Sequence, residues 1–203
     1  MPLFPIFIDL KGRRALIVGG GRVALRKAER LMPYGADICA VAPEFEDAFR
    51  SLPGVTLLER RFEPGDIEGA ALVIAATDDG ELNAAVSELC RWENIPVNVV
   101  DDLEKCSFVF PALVQRGELS VGISTGGASP SAAQYIRRGV EQLVPEGFEG
   151  ILDFLSAHRA EVKAALPPER RAAAFAALFE RCLERGRPLS EAEFAAFLGG
   201  DGQ

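Results

Sequence analysis

The sequence predicts an α/β protein with a doubly wound parallel sheet at its N-terminal end, then a small strand-plus-helix segment, and finally a C-terminal helical domain. Short apolar runs alternate with helical patterns over about the first hundred residues, which is typical of buried parallel strands joined by helices. After residue 145 the composition becomes rich in Ala, Leu, Glu and Arg, which favours helices. We therefore expect domains at 1–112, 113–145 and 146–203.

The sheet begins with a predicted strand over 14–19, and a helix follows it at once. Apolar and small residues from Val23 to Met32 recur at helical spacing, and Gly35 is placed where a C-terminal cap ends a helix. Because strands and helices keep alternating after this point, the strands should pair in parallel. The remaining predicted elements of the sheet are strands over 37–42, 55–59, 71–76 and 96–100 and a helix over 81–93.

Two more strand-like runs follow the sheet, over 107–111 and 119–123. A Gly-rich turn and a helix over 129–143 come next. The last part of the chain predicts three helices between 148 and 198, separated by proline-containing breaks. Ser190 and Glu193 have the spacing of a capping box, which predicts where the last helix begins.

Composition argues against several classes of partner. The net charge is -8, whereas surfaces that bind nucleic acid or anionic membranes are basic, so we expect neither. The four cysteines are scattered without a CxxC pair, which predicts reduced thiols and no metal site. There is no signal-peptide pattern and no apolar run of about 18 residues, so the expected location is the cytoplasm. The single histidine, His158, lies outside every motif, and we expect it at the surface.

The segment GGGRVA (19–24) matches the pattern G-x-G-x-x-G/A and lies between the first predicted strand and helix. In that context it indicates a Rossmann dinucleotide site. Gly19 permits the tight turn, Gly21 lets the backbone approach a pyrophosphate, and the helix N-terminus faces the phosphates. The alternative is a glycine turn without a ligand. The predicted cofactor contacts in this segment are Gly19, Gly20, Gly21, Arg22 and Val23.

The second predicted strand ends without the acid that commonly binds the ribose hydroxyls of a dinucleotide. It ends at Ala42 and Pro43, and Glu44 is the nearest substitute, with a solvated loop acid as the alternative role. Glu46 and Asp47 follow, and no Lys or Arg occurs before residue 50. This acidic cluster would repel the 2′-phosphate of NADP, so the sequence favours NAD.

Polar residues also follow the fourth and fifth predicted strands, at the edge where doubly wound sheets bind ligands. Thr77 and Asp78 are candidate cofactor contacts, with capping of the next helix as the alternative. Asn98, on the fifth strand, is a further candidate. Asp101 follows that strand at the mouth of the cleft, where a carboxylate is suited to proton transfer. We expect Asp101 to be the catalytic acid or base, with a loop cap as the alternative.

The segment STGGASP (124–130) predicts a turn that ends at a helix N-terminus, with Ser129 as the cap and Pro130 in the first helical position. The backbone N–H groups of such a turn can bind an anion. Arg137 lies further along the helix, placed either to reach a carboxylate or to face solvent. The predicted substrate contacts are Ser124, Thr125, Gly126, Gly127, Ser129 and Arg137.

Taken in order, these motifs resemble the precorrin-2 dehydrogenase family, which is the N-terminal module of siroheme synthase. The resemblance covers about residues 5–145 and rests on PIF (5–7), GGGRVA with RKA (19–28), VAP (41–43), AATDD (75–79), NVVD (98–101) and STGGASP (124–130). It implies NAD-dependent oxidation of precorrin-2 to sirohydrochlorin, with Asp101 central to the reaction. It also implies a homodimer in which the strand-plus-helix segment, 113–145, is a dimerisation segment that helps to build the tetrapyrrole cleft.

Two alternative functions stay open. A bifunctional enzyme would use the same cleft and the same Asp101 to insert ferrous iron into sirohydrochlorin as well. An NAD-sensing regulatory domain would bind the dinucleotide and leave the tetrapyrrole unchanged, but such domains rely on the strand-end acid that Pro43 replaces. The resemblance is weakest after residue 145, so we expect no methylation chemistry in the helical domain.

Overall fold

The central strand, β1 (Arg14–Val18), is apolar on both faces because it is buried within a sheet. In the computed structural model, which describes residues 3–201, it pairs in parallel with β2 (Asp37–Ala42) and with β4 (Ala70–Ala75). Outside these lie β3 (Thr56–Glu59) and β5 (Val97–Val99). The order β3-β2-β1-β4-β5 confirms the predicted doubly wound sheet. Successive strands are added on one side of β1 up to β3 and on its other side from β4 onward, so the strand order reverses between β1 and β4.

Two helices cover the two faces of this sheet. The helix α1 (Arg22–Leu31) packs one face through the small residues Ala24 and Ala28, which let it lie close to the strands. The helix α3 (Gly80–Trp92) packs the other face through Val86. The connections also contain a short helix, α2 (Asp47–Arg50), and 3₁₀ turns at Met32–Tyr34 and Pro64–Ile67.

The chain forms two compact units. The first, Phe4–Phe110, contains the parallel sheet, and the second begins at Pro111. In the second unit β6 (Ala112–Arg116) and β7 (Leu119–Ile123) form an antiparallel pair, followed by α4 (Pro130–Leu143). The rest of this unit is helical. Its helices are α5 (Phe148–Ala157), α6 (Arg159–Ala165), α7 (Pro168–Arg185) and α8 (Glu191–Ala196), with a π-helical turn at Phe197–Asp201.

The C-terminal helices bury an apolar core of their own, which includes Ile151, Leu178 and Phe194. The predicted capping box is confirmed, since the Ser190 hydroxyl accepts the Glu193 N–H and the Glu193 carboxylate accepts the Ser190 N–H. No helix within residues 3–201 has both the length and the apolar character needed to cross a bilayer.

The prediction of a strand over 107–111 is wrong. The N–H groups of Ser107 and Phe108 both point to one carbonyl, that of Val97, at 2.8 and 3.3 Å, so no ladder forms. Pro111 has no N–H to continue one. The strand begins instead at Ala112, which the sequence analysis missed.

The predictions for the helical region also need correction at His158. The expected first helix is divided there into α5 and α6, which makes four helices where three were expected. The His158 side chain is only 15% exposed, and its ring packs between Phe154 and Phe194 at centroid distances of 4.3 and 4.4 Å. Nδ1 lies 2.9 Å from the Phe154 carbonyl oxygen, so His158 is a packed residue and not a surface one.

Candidate active site

The glycine turn follows β1 and lies against the ends of both neighbouring strands. The Gly19 N–H donates to the Val41 carbonyl at 2.9 Å, and Gly19 has a positive φ of 131°. A Cβ on Gly19 would overlap the Ala76 carbonyl oxygen, and one on Gly20 would overlap the Glu44 carbonyl oxygen. Packing therefore requires glycine at both positions.

Gly21 differs from these two glycines because a Cβ there would meet only open space. It is the N-cap residue of α1. Because glycine has no side chain, it cannot cap the first N–H groups of the helix. Open space beside a helix N-terminus fits a phosphate group, which the helix dipole and the N–H groups stabilise. The geometry therefore fits the predicted pyrophosphate contact of Gly21, Arg22 and Val23.

The acid fixed beside the glycine turn is Glu46. Its N–H donates to the Gly20 carbonyl at 2.9 Å, and its carboxylate lies 4.0 Å from Nε of Arg22, the first residue of α1. Glu44, the substitute acid proposed from the sequence, meets the turn through its backbone carbonyl. The other predicted contacts in this loop are Ala42, which is buried, and Pro43, which is exposed.

The turn after β4 is closed by its own side chains. The Thr77 hydroxyl donates to Oδ1 of the buried Asn83 at 2.8 Å, and Nδ2 of Asn83 donates back to the Thr77 carbonyl at 2.9 Å. Asp79 caps α3 by accepting the N–H groups of the two residues after Gly80. Asp78 is exposed at this edge. The alternative capping role thus falls to Asp79, and Asp78 keeps its carboxylate toward solvent.

Asp101 lies in a tight loop that is fixed from within. The Val99 N–H donates to Sγ of Cys106 at 3.1 Å, and Sγ lies 3.2 Å from the carbonyl oxygens of Val99 and Asp102. A hydrogen bond from Lys105 holds the pKa of Asp102 below its usual value. Asp101 itself is exposed and has a left-handed φ of 61°, a conformation that non-glycine residues seldom adopt and that Asp tolerates.

Asn98 lies beneath this loop, only 6% exposed, and both ends of its carboxamide are bonded within the protein. Nδ2 donates to the Phe108 carbonyl at 3.1 Å, and Oδ1 accepts from Nζ of Lys27 at 3.3 Å. The Lys27 ammonium also lies 4.0 Å from the centre of the Phe110 ring. Burial, with the charge of Arg30 acting in the same direction, lowers the pKa of Lys27 to about 8.

Lys27 and Glu46 make specific contacts at this edge, and neither was predicted from the sequence as a site residue. For Glu46 the acidic run 44–47 was a usable signal, because it placed an acid near the ribose without saying which one. For Lys27 there was no signal of a contact, because its partner Asn98 is 71 residues away.

The predicted substrate turn belongs to the second unit. The Thr125 hydroxyl accepts the Ser129 N–H at 3.2 Å and donates to the Ser129 carbonyl at 3.1 Å, so it closes the turn. Ser129 caps α4, as predicted. Arg137 bonds Glu141 on its own helix and Oε1 of Gln134 at 2.9 Å. The remaining predicted contacts are Ser124, whose hydroxyl accepts the Gly126 N–H, and Gly126 and Gly127, which both have positive φ.

The sheet thus brings three sequence-distant segments to its carboxyl edge: the glycine turn, the turn after β4 and the loop that carries Asp101. Since neighbouring strands are about 4.8 Å apart, the ends of β1 and β5 are separated by about 10 Å. A glycine turn at the point where strand order reverses, followed by a helix N-terminus without a side-chain cap, defines a dinucleotide-binding Rossmann protein.

Comparison with known proteins narrows this class. Residues 6–112 match a family model described as "Putative NAD(P)-binding", and residues 116–143 match one described as "Sirohaem biosynthesis protein central". The chain belongs to the NAD(P)-binding family that the first of these models describes, and its relatives include siroheme synthases. The dinucleotide-binding class and the family resemblance predicted from the sequence are therefore confirmed.

Individual relatives cover most of this chain. A siroheme synthase of Azotobacter vinelandii is 43% identical over 178 residues, which is 86% of this chain and 38% of the relative. A siroheme synthase of Pseudomonas paraeruginosa is 46% identical over 170 residues, or 82% and 37% of the two chains. The chain thus spans less than two fifths of these relatives. A solved structure named "SirC, precorrin-2 dehydrogenase" has the same fold, with a TM-score of 0.69, 24% identity, and coverage of 97% of this chain and 98% of that one.

Proposed function

We propose that this protein oxidises precorrin-2 to sirohydrochlorin with NAD as the hydride acceptor. The observation that carries the proposal is Asp101, an exposed acid held in a left-handed conformation on a braced loop, at the sheet edge that also carries the glycine turn. The names of the relatives support the substrate, since two are siroheme synthases and the structural neighbour is a precorrin-2 dehydrogenase.

The reaction removes a hydride and a proton from the macrocycle. Bound NAD would supply the acceptor for the hydride. Asp101 would accept the proton, because its carboxylate faces outward at the same edge. Asp102 is unsuited to that role, since its ion pair with Lys105 keeps its pKa low and its oxygens occupied. The glycine turn and the N-terminus of α1 would hold the pyrophosphate and so orient the cofactor.

Several narrower points belong to the same proposal. Glu46 beside Arg22 supports NAD over NADP, because an acid at this position repels a 2′-phosphate. The predicted substrate contacts of the turn at 124–130 stay part of the proposal, although the turn bonds the Gly126 and Ser129 N–H groups itself. The described cysteines are all unpaired, which supports a reducing compartment such as the cytoplasm. A homodimer built through the segment 113–145 stays part of the proposal.

An anaerobic assay with precorrin-2 and NAD tests this function. We expect one NADH for each sirohydrochlorin formed. Asp101→Asn should lower kcat by about a hundredfold or more, because it removes the proton acceptor and keeps the shape of the side chain. Its Kd for NAD, measured by calorimetry, should stay within about twofold of the parent protein. Asp153→Asn, which changes an exposed acid of α5, is the matched control and should leave both values unchanged.

Other outcomes would point elsewhere. A near-normal rate in Asp101→Asn would show that Asp101 is not the acid or base. Binding of NAD without any NADH production would favour the regulatory domain. Ferrous iron added after oxidation distinguishes a dehydrogenase from the bifunctional enzyme, because only the bifunctional enzyme would insert the metal into sirohydrochlorin.

A further inference from the structure

Lys27 is a half-buried cation that the proposed mechanism does not use. It projects from α1 toward β5, and within residues 3–201 no carboxylate lies within 4.0 Å of its Nζ. Its neighbours are a neutral amide oxygen, that of Asn98, and the face of the Phe110 ring. Taking an ammonium group out of water for such partners costs free energy, so its position calls for a functional explanation.

The contact with Lys27 fixes the orientation of the Asn98 carboxamide. An ammonium group only donates hydrogen bonds, so Oδ1 of Asn98 must face it and Nδ2 must face the other way. There Nδ2 meets the Phe108 carbonyl at 3.1 Å and Sγ of Cys106 at 3.4 Å. Cys106 is the thiol that closes the loop carrying Asp101.

A chain of contacts therefore runs from Lys27 through Asn98 and Cys106 to the loop of residues 99–106. The same loop is tied to β5 by hydrogen bonds between Val97 and Ser107, one in each direction, at 2.8 Å. Those bonds hold the base of the loop, whereas the carboxamide of Asn98 braces its interior. A flipped carboxamide would oppose donor to donor at Lys27 and acceptor to acceptor at Phe108.

We propose that Lys27 is a positioning residue whose ammonium group fixes the Asn98 carboxamide and, through Cys106, the loop that presents Asp101. As a claim about catalysis this inference rests on the proposed function. As a claim about the loop it stands on the geometry alone. A misplacement of a reacting group by about 1 Å lowers rates by up to about a hundredfold. Loss of the contact between Lys27 and Asn98 should therefore affect kcat more than cofactor binding.

The charge of Lys27 provides a signature that packing alone would not give. The groups acting on its charge are Arg30 on α1, which disfavours it, and Cys106 and Asp101 on the facing segment, which favour it. Burial is the largest influence, and the pKa of Lys27 is lowered to about 8. Above that pH the neutral amine accepts as well as donates hydrogen bonds, so it no longer imposes one orientation on Asn98.

Two variants and a pH series test the catalytic part. At pH 7, Lys27→Met should lower kcat by at least about tenfold, with KM for NAD changed by less than about threefold. Lys27→Arg keeps the charge and should restore kcat to within about threefold of the parent. The parent's kcat should fall with a midpoint near pH 8, and Lys27→Arg should lack this fall up to pH 9.5, because arginine stays protonated. Lys163→Met, in α6 of the other unit, is the matched control and should behave as the parent.

NMR on the same proteins tests the loop part without precorrin-2. The chain contains four lysines, so labelled lysine gives a short set of signals that single substitutions assign. The Lys27 signal should titrate near pH 8, and in a second sample with labelled asparagine the Asn98 side-chain amide signal should shift with the same midpoint. In Lys27→Met the Asn98 signal should not titrate in this range.

An Asn98 signal that ignores the titration of Lys27 would overturn the proposal, whatever the assay shows. So would a normal kcat for Lys27→Met, or a fall near pH 8 that persists in Lys27→Arg. If the parent protein makes no NADH from precorrin-2 while the Asn98 signal behaves as expected, the proposed function is wrong. The inference that Lys27 fixes the Asn98 carboxamide and the loop would still hold.

Discussion

Arg22 and Glu46 lie side by side where the ribose of a dinucleotide would bind. The positive charge of Arg22 attracts a phosphate there, and the negative charge of Glu46 repels it. Arg22 is the first residue of α1 and its side chain is 81% exposed, so it is free to turn toward an added phosphate. The Glu46 carboxylate, 4.0 Å away, competes with any such anion. We therefore assign the proposed preference for NAD to this pair more than to the number of acids in the loop.

Replacing Glu46 should weaken the discrimination against NADP. Glu46→Gln removes the competing charge and leaves Arg22 to form charge-assisted hydrogen bonds with a 2′-phosphate. We expect the ratio of kcat/KM for NADP to that for NAD to rise by about tenfold, as measured by steady-state kinetics with each dinucleotide. Glu44→Gln is the comparison that decides between the two acids. A larger effect there would return the assignment to Glu44.

At the level of single residues, the sequence predicted what depends on local geometry. The glycine turn and the Ser129 cap follow from backbone rules that act within a few residues, and both are where the pattern placed them. The roles of Lys27 and Glu46 depend on which side chains meet after folding. Glu46 and Glu44 differ by only two positions, and the loop path that separates their roles is set by the hydrogen bond to Gly20.

The glycine turn that joins β1 to α1 combines a structural requirement with a ligand requirement, and the structure separates them. Gly20 is needed because the Glu44 carbonyl lies where a Cβ would be. Gly21 faces open space and has no such neighbour. The two positions are adjacent in sequence, so the same substitution at each forms a matched pair.

Alanine should affect stability at Gly20 and NAD binding at Gly21. Gly20→Ala should lower the free energy of unfolding by about 1–3 kcal/mol, because the backbone must shift to remove the overlap. Gly21→Ala should change it by less than about 0.5 kcal/mol, yet raise the Kd for NAD by about tenfold or more, since the methyl group occupies the pyrophosphate site. Chemical denaturation and calorimetry measure the two quantities. Unchanged NAD affinity in Gly21→Ala would place the pyrophosphate elsewhere.

Among the elements, buried strands were the easiest to predict and exposed or irregular ones the hardest. The runs that became β1, β2 and β4 are apolar because both faces are covered, so composition alone marks them. The segment 107–111 has the apolar composition of a strand but is not one, since Phe108 and Phe110 pack against the core beside α1 without joining a ladder. The strand β6 contains the polar residues Gln115 and Arg116, so it lacks the continuous apolar composition that identifies a buried strand.

At the scale of the whole molecule, α4 carries an apolar stripe that residues 3–201 leave uncovered. Tyr135 and Leu143 are 71% and 81% exposed, and Ile136 is also exposed. Gly139 lies between them in sequence, with open space where a Cβ would be, so another helix can approach closely. Residues three, four and seven apart share a helix face. This stripe falls within the segment 113–145 that the family resemblance assigns to the dimer contact.

Disrupting the stripe should therefore change the assembly. We expect the parent protein to sediment as a dimer and Ile136→Glu as a monomer at micromolar concentration, because a buried unpaired charge opposes association. Trp92→Glu, at an exposed aromatic residue of α3, is the control and should stay dimeric. A parent protein that sediments as a monomer would contradict the dimer.

The left-handed backbone at Asp101 also restricts how this position can change during evolution. Of the residues that adopt this conformation readily, which are Gly, Asn and Asp, only Asp carries a carboxylate. Glutamate, which proton chemistry alone would accept, is disfavoured by the backbone. A lineage that drifts away from Asp101 without rebuilding the loop therefore arrives at Asn or Gly, with the fold preserved and the acid lost.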